Sequence, residues 1–82
     1  MYQEIGEKVK VRADFEGGQI RPRLIKWQNR NYKIEKINLV SQEREGKSIN
    51  YHFAVETDKG SCLKLKYNNE KLTWSIEELW LE

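Results

Sequence analysis

The stretch that decides the fold is Ile49–Tyr67, which reads INYHFAVETDKGSCLKLKY. Over Ile49–Thr57, large apolar or β-branched residues occupy every second position, which is the period of a strand with one buried face. The same alternation resumes over Leu63–Tyr67. Between the two runs, Asp58–Gly60 places a glycine where a short hairpin loop needs a residue with positive φ. The sequence therefore predicts a β-hairpin on which the rest of the chain packs.

Size and composition bound the architecture. The chain of 82 residues predicts a single domain over residues 1–82, near the lower end of what folds without disulfides or metal. Cys62 is the only cysteine, so it forms no internal disulfide, and no Cys/His cluster has the spacing of metal ligands. The core must therefore hold by packing of the three Trp, four Tyr and two Phe, and we expect no cofactor and no metal.

The chain has no feature that indicates membrane insertion or export. No apolar run approaches the ~18 residues of a transmembrane helix. The opening MYQEIGEK lacks the pattern of a signal peptide. We therefore expect a cytoplasmic protein. The closing Leu81-Glu82 has the form of a cloning scar as well as of native sequence, and it is assigned no function.

Charge is distributed unevenly along the chain. The net charge is only +2, but Lys8–Lys36 carries nine cations and three carboxylates, so this segment has a charge of +6. The rest of the chain must then sum to −4. The basic residues are concentrated in the first half, where we look for contacts with an anionic partner.

The first half also shows three predicted strands. Val9–Phe15 alternates apolar and charged residues, and Gly17-Gly18 forms a turn after it. A second strand is predicted over Ile20–Gln28 and a third over Tyr32–Val40. Asn29-Arg30 lies between them as the reversal, since Asn tolerates the left-handed conformation.

The apolar side of this second hairpin changes face along its length. With a two-residue loop at Asn29-Arg30, Trp27 lies opposite Tyr32 on one face, whereas Pro22 lies opposite Ile37 on the other. A flat, half-buried ribbon cannot switch faces in this way, because side chains alternate with a strict period of two. A bulged ribbon that crosses from one sheet to another can, and Pro22 belongs at an edge or bulge because it lacks an N–H. The pattern predicts a bent, barrel-like sheet.

The remaining segments complete the predicted architecture. Ser41–Ser48 has no apolar residue and is predicted to be the most mobile internal loop. Leu72–Trp74 forms a short last strand, and Ser75–Glu78 has the form of a capping box, which predicts a short C-terminal helix. The alternative is that Ile76 prolongs the strand. We therefore predict a mainly β fold: a strongly bent antiparallel sheet or small barrel of about six strands, with a short C-terminal helix.

One set of positions between Pro22 and Trp74 has the spacing of a known family: Pro22, Trp27-x-x-Arg30-x-Tyr32-x-Ile34, Tyr51-x-Phe53-x-Val55-x-Thr57, Gly60, Leu65-x-Tyr67 and Trp74. In these positions the chain resembles a small bacterial domain of uncharacterised function, which occurs alone and as a C-terminal segment of some Y-family-polymerase-like mutagenesis proteins. The family usually has glycine where this chain has Asn29. Nothing resembles the catalytic part of a polymerase, so the resemblance implies an accessory or binding module with a link to DNA metabolism.

Candidates for catalysis are few. His52 is the only histidine, and Cys62 shares its face of the alternation, where it is expected near Glu56 or diagonal to His52. A Cys–His nucleophile pair needs hydrogen-bond contact and a third group to orient it, and spacing does not supply these. An inert, half-buried thiol is the favoured interpretation. Gly17-Gly18 lacks the spacing of a phosphate-binding loop. We therefore predict no catalytic residues and a protein that is not an enzyme.

The basic hairpin carries the sharper functional hypothesis. In the predicted register, Lys26 lies opposite Lys33 and Arg23 opposite Lys36, and facing like charges cost a fraction of ~0.2–1 kcal/mol each. Nucleic-acid phosphates would turn this cost into attraction through counterion release. The predicted nucleic-acid-binding residues are Arg21, Arg23, Lys26, Arg30, Lys33 and Lys36.

Two points bear on this hypothesis: a different interpretation of the cations, and the place of the aromatic residues. Charge on the outer face of a sheet ordinarily serves solubility and protects strand edges from aggregation. An exposed aromatic, namely Trp27, Tyr32 or Trp80, would add base stacking. For Trp27 and Tyr32, however, a place in the core is the favoured interpretation.

A second function hypothesis is a protein–protein adaptor. Leu79, Trp80 and Leu81 could exceed what the core absorbs and leave an apolar patch at the C-terminus. An open strand edge could also accept a strand from a partner. The two hypotheses predict different surfaces: a contiguous basic patch for nucleic acid, and an apolar patch or bare strand edge for protein.

Overall fold

The fold is an antiparallel β-barrel, seen in a computed structural model that describes residues 2–80, with side chains from residue 3 onward. Its strands are β1 (Tyr2–Glu16), β2 (Gln19–Trp27), β3 (Arg30–Glu45), β4 (Ser48–Thr57), β5 (Cys62–Asn68) and β6 (Thr73–Trp80). Each strand pairs with the next along the chain, and β6 pairs with β1 to close the barrel. The predicted fold class, a small barrel of six antiparallel strands, is confirmed.

Two long strands each take part in two sheets. β1 pairs with β6 over Tyr2–Val9 and with β2 over Lys10–Glu16. β3 pairs with β2 over Arg30–Lys33 and with β4 over Ile34–Glu45. We call Lys10–Glu16, β2 and Arg30–Lys33 the small sheet. The large sheet contains the rest of β1, then β6, β5, β4 and the rest of β3.

Bulges produce the change of face that the sequence shows. In β2, Arg23 is an extra residue between Pro22 and Leu24, whose partners in β1 are consecutive. In β3, the register with β4 shifts at Glu35 and again at Asn38. Each extra residue reverses the alternation, so apolar side chains on both sides of the bulge face the interior. The predicted bulged ribbon crossing between two sheets is confirmed.

The central hairpin is the main contributor to the core. Phe53 pairs with Leu65 and Val55 with Leu63, as the alternation predicts, and Gly60 has a φ of 78° in the turn. The buried hydrophobic residues are Ile25, Phe53, Val55, Leu63, Leu65, Tyr67, Trp74, Ile76 and Leu79. Every member except Ile25 belongs to the large sheet, so the interior is built mainly on one side of the barrel.

The predicted C-terminal helix is wrong, and the alternative of a longer strand is right. β6 continues to Trp80, and residues 2–80 contain no helix, hence none that could cross a membrane. Glu77 is the extra residue of a bulge, so Ile76 and Leu79 both face inward although they are three apart. Because of this bulge, two residues three apart face the same side, which is also the spacing of a helix. The N-terminal half of β1 supplies the antiparallel partner that keeps this segment extended. Leu81 and Glu82 lie outside the described residues.

The predicted polar loop Ser41–Ser48 is also wrong, because this segment is a hairpin. β3 continues to Glu45, the turn is Gly46-Lys47, and β4 begins at Ser48. Residues 41–47 are exposed, so their polar composition reflects contact with water on both faces and not a lack of strand pairing. Leu72, predicted in the last strand, lies in the preceding turn with a φ of 56°.

Candidate nucleic-acid interface

The register of the β2–β3 hairpin differs from the predicted one by two residues. The turn consists of Gln28 and Asn29, with φ values of 53° and 60°, so Trp27 faces Arg30 and Lys26 faces Asn31. Two consecutive residues with positive φ are what a tight hairpin turn of matching twist requires. A shift of two preserves which face each side chain occupies. Because Lys26 faces Asn31, the predicted pairing of Lys26 with Lys33 is wrong, but both lysines still lie on the same face of the hairpin.

Barrel closure creates a different pair of facing lysines. Lys10 of β1 lies directly opposite Lys26 of β2, and both side chains are exposed. Two residues further along the strands, in the next row of outward-facing positions, Leu24 lies between Arg12 of β1 and Lys33 of β3. Like charges in directly opposed positions repel each other. The small sheet therefore contains a pair of facing lysines, as the sequence suggested, but the pair joins β1 to β2 and not β2 to β3.

These cations share the outer surface of the small sheet. Val11 and Ala13 pack against the core, so their neighbours on β1 point outward, and the buried Ile25 sets the same alternation on β2. We call this outer surface the basic face; its cations are Lys10, Arg12, Arg21, Arg23, Lys26 and Lys33. The carboxylates of the small sheet are Asp14 and Glu16, both close to the turn between β1 and β2.

One cation of the basic face has an acidic partner. The Arg23 Nε donates to the Asp14 Oδ2 at 2.8 Å, and both side chains are more than half exposed, at 55% and 56%. An ion pair this exposed contributes little to folding. Within residues 3–80, the other cations of the basic face have no carboxylate within 4.0 Å. They are thus available to an anionic ligand.

The structure brings together four of the six predicted contact residues: Arg21, Arg23, Lys26 and Lys33. Arg30 faces Trp27 at the end of the barrel, in a cavity that Glu4 and Glu7 also line. Lys36 faces Glu56 within the large sheet, so the predicted pairing of Arg23 with Lys36 is also wrong.

Sequence reasoning omitted two cations of the basic face, Lys10 and Arg12. Both fall inside the Lys8–Lys36 basic segment, which is the signal that could have included them. Their position beside β2 becomes visible only when β1 and β2 are paired.

The aromatic residues considered for base stacking lie elsewhere. Trp27 and Tyr32 are half-buried against the core with ring centroids 6.1 Å apart, which confirms their predicted place in the core. The Trp27 Nε1 donates to the Glu7 Oε2 at 2.7 Å. Trp80 is 53% exposed but belongs to the large sheet, opposite Cys62. Phe15 of the small sheet is 60% exposed, but its ring packs edge-to-face on Tyr67 of the core. The outward positions of the described small sheet thus hold no aromatic side chain, and their chemistry is that of phosphate contact.

The catalytic candidates do not form a nucleophile pair. Cys62 lies directly opposite Glu56, one of the two expected placements. His52 lies opposite Lys66, four residues further along the ladder, which corresponds to about 13 Å. Its Nδ1 is 2.8 Å from the Glu77 Oε1. The histidine and the thiol are therefore too far apart for proton transfer between them.

Neither metal coordination nor similarity to known proteins adds a further assignment. Among the described residues, no three His, Cys, Asp or Glu side chains are grouped so that they could hold a metal ion. No family model, no curated protein and no solved structure matches the chain. The basic face is thus the feature of the molecule on which a functional proposal rests.

Proposed function

We propose that this domain is a binding module, without catalytic activity, that contacts nucleic acid through the basic face. The observation that carries the proposal is the pair Lys10 and Lys26, which face each other across two strands with no carboxylate in ion-pair range among residues 3–80. Each such pair costs a fraction of ~0.2–1 kcal/mol in the free protein. Phosphates bound between the two ammonium groups would replace this repulsion by attraction and release counterions.

The composition of the basic face favours the phosphate backbone over the bases. Alternate residues of a strand are ~6.7 Å apart, so Lys10 and Arg12 present their charges in a row, and β2 adds a parallel row beside them. With no aromatic platform on the described face, binding would depend on charge and not on base identity. We expect duplex and single-stranded DNA of any sequence to bind.

Two further considerations support a role in DNA metabolism. The resemblance to a bacterial domain that also accompanies mutagenesis proteins favours DNA as the nucleic acid. The free thiol of Cys62 suits a reducing compartment, so we place the activity in the bacterial cytoplasm.

The test is a titration of ¹⁵N-labelled protein with a mixed-sequence 16-base-pair duplex and with its single strands, at low and at physiological salt. We expect micromolar binding at low salt, with amide shifts concentrated in residues 10–12, 21–26 and 33. The logarithm of the duplex association constant should fall with log[salt] with a slope of about −0.9 per phosphate contact. Absence of binding at low salt would refute the proposal.

A matched pair of double variants distinguishes binding through the basic face from a general effect of net charge. The double substitution Lys10→Glu/Lys26→Glu should abolish most of the binding. Lys47→Glu/Lys71→Glu makes the same change in net charge at two exposed turn residues outside the small sheet and should retain it. If both double variants lose affinity equally, the cations act through net charge and the basic face is not a site.

A further inference from the structure

The seam between β2 and β3 is only partly paired. The ladder runs from Trp27–Arg30 to Leu24–Lys33 and then stops, although both strands continue. Beyond this point, Gln19–Pro22 pairs with β1 alone and Ile34–Glu45 with β4 alone. No strand of residues 2–80 pairs with the sides of these segments that face each other. Two free backbone edges therefore border the gap.

The gap is a groove of about 530 Å³ with an apolar base. Pro22 and Phe53 are buried at its base, and Tyr51 beside them is half-buried. Val40 stands at its opening, 54% exposed. An apolar trough beside a free strand edge is the arrangement that binds an extended peptide by strand addition: the edge pairs with its backbone and the trough takes alternate side chains.

The free edge of β3 is regular where the groove opens. Bulges and charges normally protect an edge strand from pairing with other chains. The bulges of β3 are at Glu35 and Asn38, whereas from Leu39 to Glu45 the register with β4 is continuous. Val40 lies on the groove side of this segment, opposite Phe53, and Leu39 points outward, opposite Ala54.

The charged residues at the margin of the groove indicate what kind of peptide segment the groove would bind. Arg21, Arg23 and Lys36 line it, against the single carboxylate of Glu35. Asp14 lies opposite Arg21, but the Asp14 carboxylate pairs with Arg23. Glu56 faces Lys36, and Arg21 has no ion-pair partner among the residues described. The charged residues that line the groove are thus three cations and one carboxylate, and Arg21 is the cation that would attract acidic side chains of the incoming segment.

We propose that the groove between β2 and β3 binds an extended acidic segment of a partner protein, which adds as a strand to the free edge of β3 over Leu39–Gln42. Its apolar side chains would lie over Val40 and Tyr51, and its carboxylates would face Arg21. Arg21 and Arg23 belong to both surfaces, but the nucleic-acid proposal is carried by Lys10 and Lys26, which do not line the groove, so neither proposal depends on the other.

The probe is a capped ten-residue peptide in which valine alternates with glutamate. Added to ¹⁵N-labelled protein, it should shift the amides of residues 37–42 and slow their hydrogen exchange, because backbone pairing protects amides. Two control peptides test the mechanism. One has lysine in place of glutamate, and the other is N-methylated at every residue and so lacks backbone donors. Neither control should bind comparably.

Neighbouring variants with opposite side-chain directions test the site. Val40→Asp should weaken peptide binding by about tenfold or more, because it places a carboxylate beside the apolar base of the groove. Leu39→Asp makes a similar change on the outward side of the same edge, where the side chain is 63% exposed, and should weaken binding less than about twofold. Both positions are exposed enough for the variants to fold. Their duplex binding should be equal, which separates this test from that of the basic face.

Five outcomes would overturn the proposal. Four of them are that the Val–Glu peptide fails to bind, that the N-methylated peptide binds equally well, that the two aspartate variants weaken binding equally, and that protection of residues 37–42 rises with protein concentration alone. Protection that rises with protein concentration would show that a second copy of the chain occupies the groove. Protection by single-stranded oligothymidine, lost in Val40→Asp but not in Leu39→Asp, would instead assign the groove to nucleic acid.

Discussion

The small and large sheets divide the molecule into two regions of different character. The large sheet supplies all the buried hydrophobic residues except Ile25, and β5 is paired on both sides along its length. Among its facing charges, Lys64 lies opposite Glu78 and Lys36 opposite Glu56, although Glu4 also lies opposite Glu78. The small sheet buries little and sets Lys10 opposite Lys26. The described charges of the large sheet are therefore mixed in sign, whereas cations outnumber carboxylates in the small sheet.

Polar contacts extend the same contrast. Asn50, which is 1% exposed, donates to the Glu45 Oε2 at 2.8 Å and accepts from the Asn68 Nδ2 at 2.7 Å. Asn68 in turn accepts from the backbone N–H of Lys71 at 2.8 Å. These bonds join the end of the β3–β4 hairpin to the turn before β6. A buried amide with satisfied partners fixes geometry, whereas the side-chain bond of the basic face is the exposed pair of Asp14 and Arg23.

Hydrogen exchange should show the largest difference between the two regions. Amides of β5 in the large sheet should exchange only through global unfolding, whereas the edge amides of residues 19–23 in the small sheet should exchange by local opening. With a global stability of ~5 kcal/mol or more, the protection factors would differ by about a thousandfold or more. Uniform protection across the two regions would contradict the division.

Core truncations should differ next most strongly. Phe53→Ala, in the large sheet, should lower the free energy of unfolding by about 3–5 kcal/mol, because it leaves a cavity beside the stacked Trp74. Val11→Ala, at a half-buried site of the small sheet, should cost about 1 kcal/mol. Urea unfolding followed by tryptophan fluorescence measures both. Equal costs would mean that the small sheet holds the core as firmly as the large one.

Single charge reversals should change stability in opposite directions. Lys26→Glu replaces repulsion from Lys10 by attraction and should stabilise the fold by ~0.2–1 kcal/mol, while it weakens duplex binding. Lys64→Glu places a carboxylate opposite Glu78 and should destabilise the fold by a similar amount. Thermal unfolding at low salt compares the two. Destabilisation by Lys26→Glu would show that Lys10 and Lys26 do not repel each other.

The smallest effect is expected at Asp14. Asp14→Asn removes the exposed partner of Arg23 and should change the free energy of unfolding by less than about 1 kcal/mol. The released cation should tighten duplex binding by about two- to fivefold at low salt. Glu56→Gln is the control, since it removes a carboxylate facing Lys36 outside the small sheet. If both variants tighten binding equally, the gain comes from net charge.

Local patterns predicted the parts of the fold that depend on near neighbours. The alternation from Ile49 to Tyr67 predicts the central hairpin, and the change of face around Pro22 predicts a bulged corner. Both follow from the two-residue period of the pleat. The same local reasoning failed at Ile76 and Leu79, because a bulge and a helical turn both bring residues three apart to one face.

The candidate site was predicted in part for a related reason. The concentration of cations before Lys36 is a property of the sequence, and it led to Arg21, Arg23, Lys26 and Lys33. It did not lead to the register, because a slide of two residues leaves every side chain on its face. The φ values of Gln28 and Asn29 set that register.

The sequence by itself determined the strand periodicity, the central hairpin, the need for a bent sheet and the basic first half, since each depends on residues close together in the chain. Only the tertiary structure decided the closure of β1 on β6, the pairing of Lys10 with Lys26 and the groove between β2 and β3. These features depend on which strands meet. Backbone hydrogen bonds between strands are the same for every sequence, so packing of the whole barrel selects the partners.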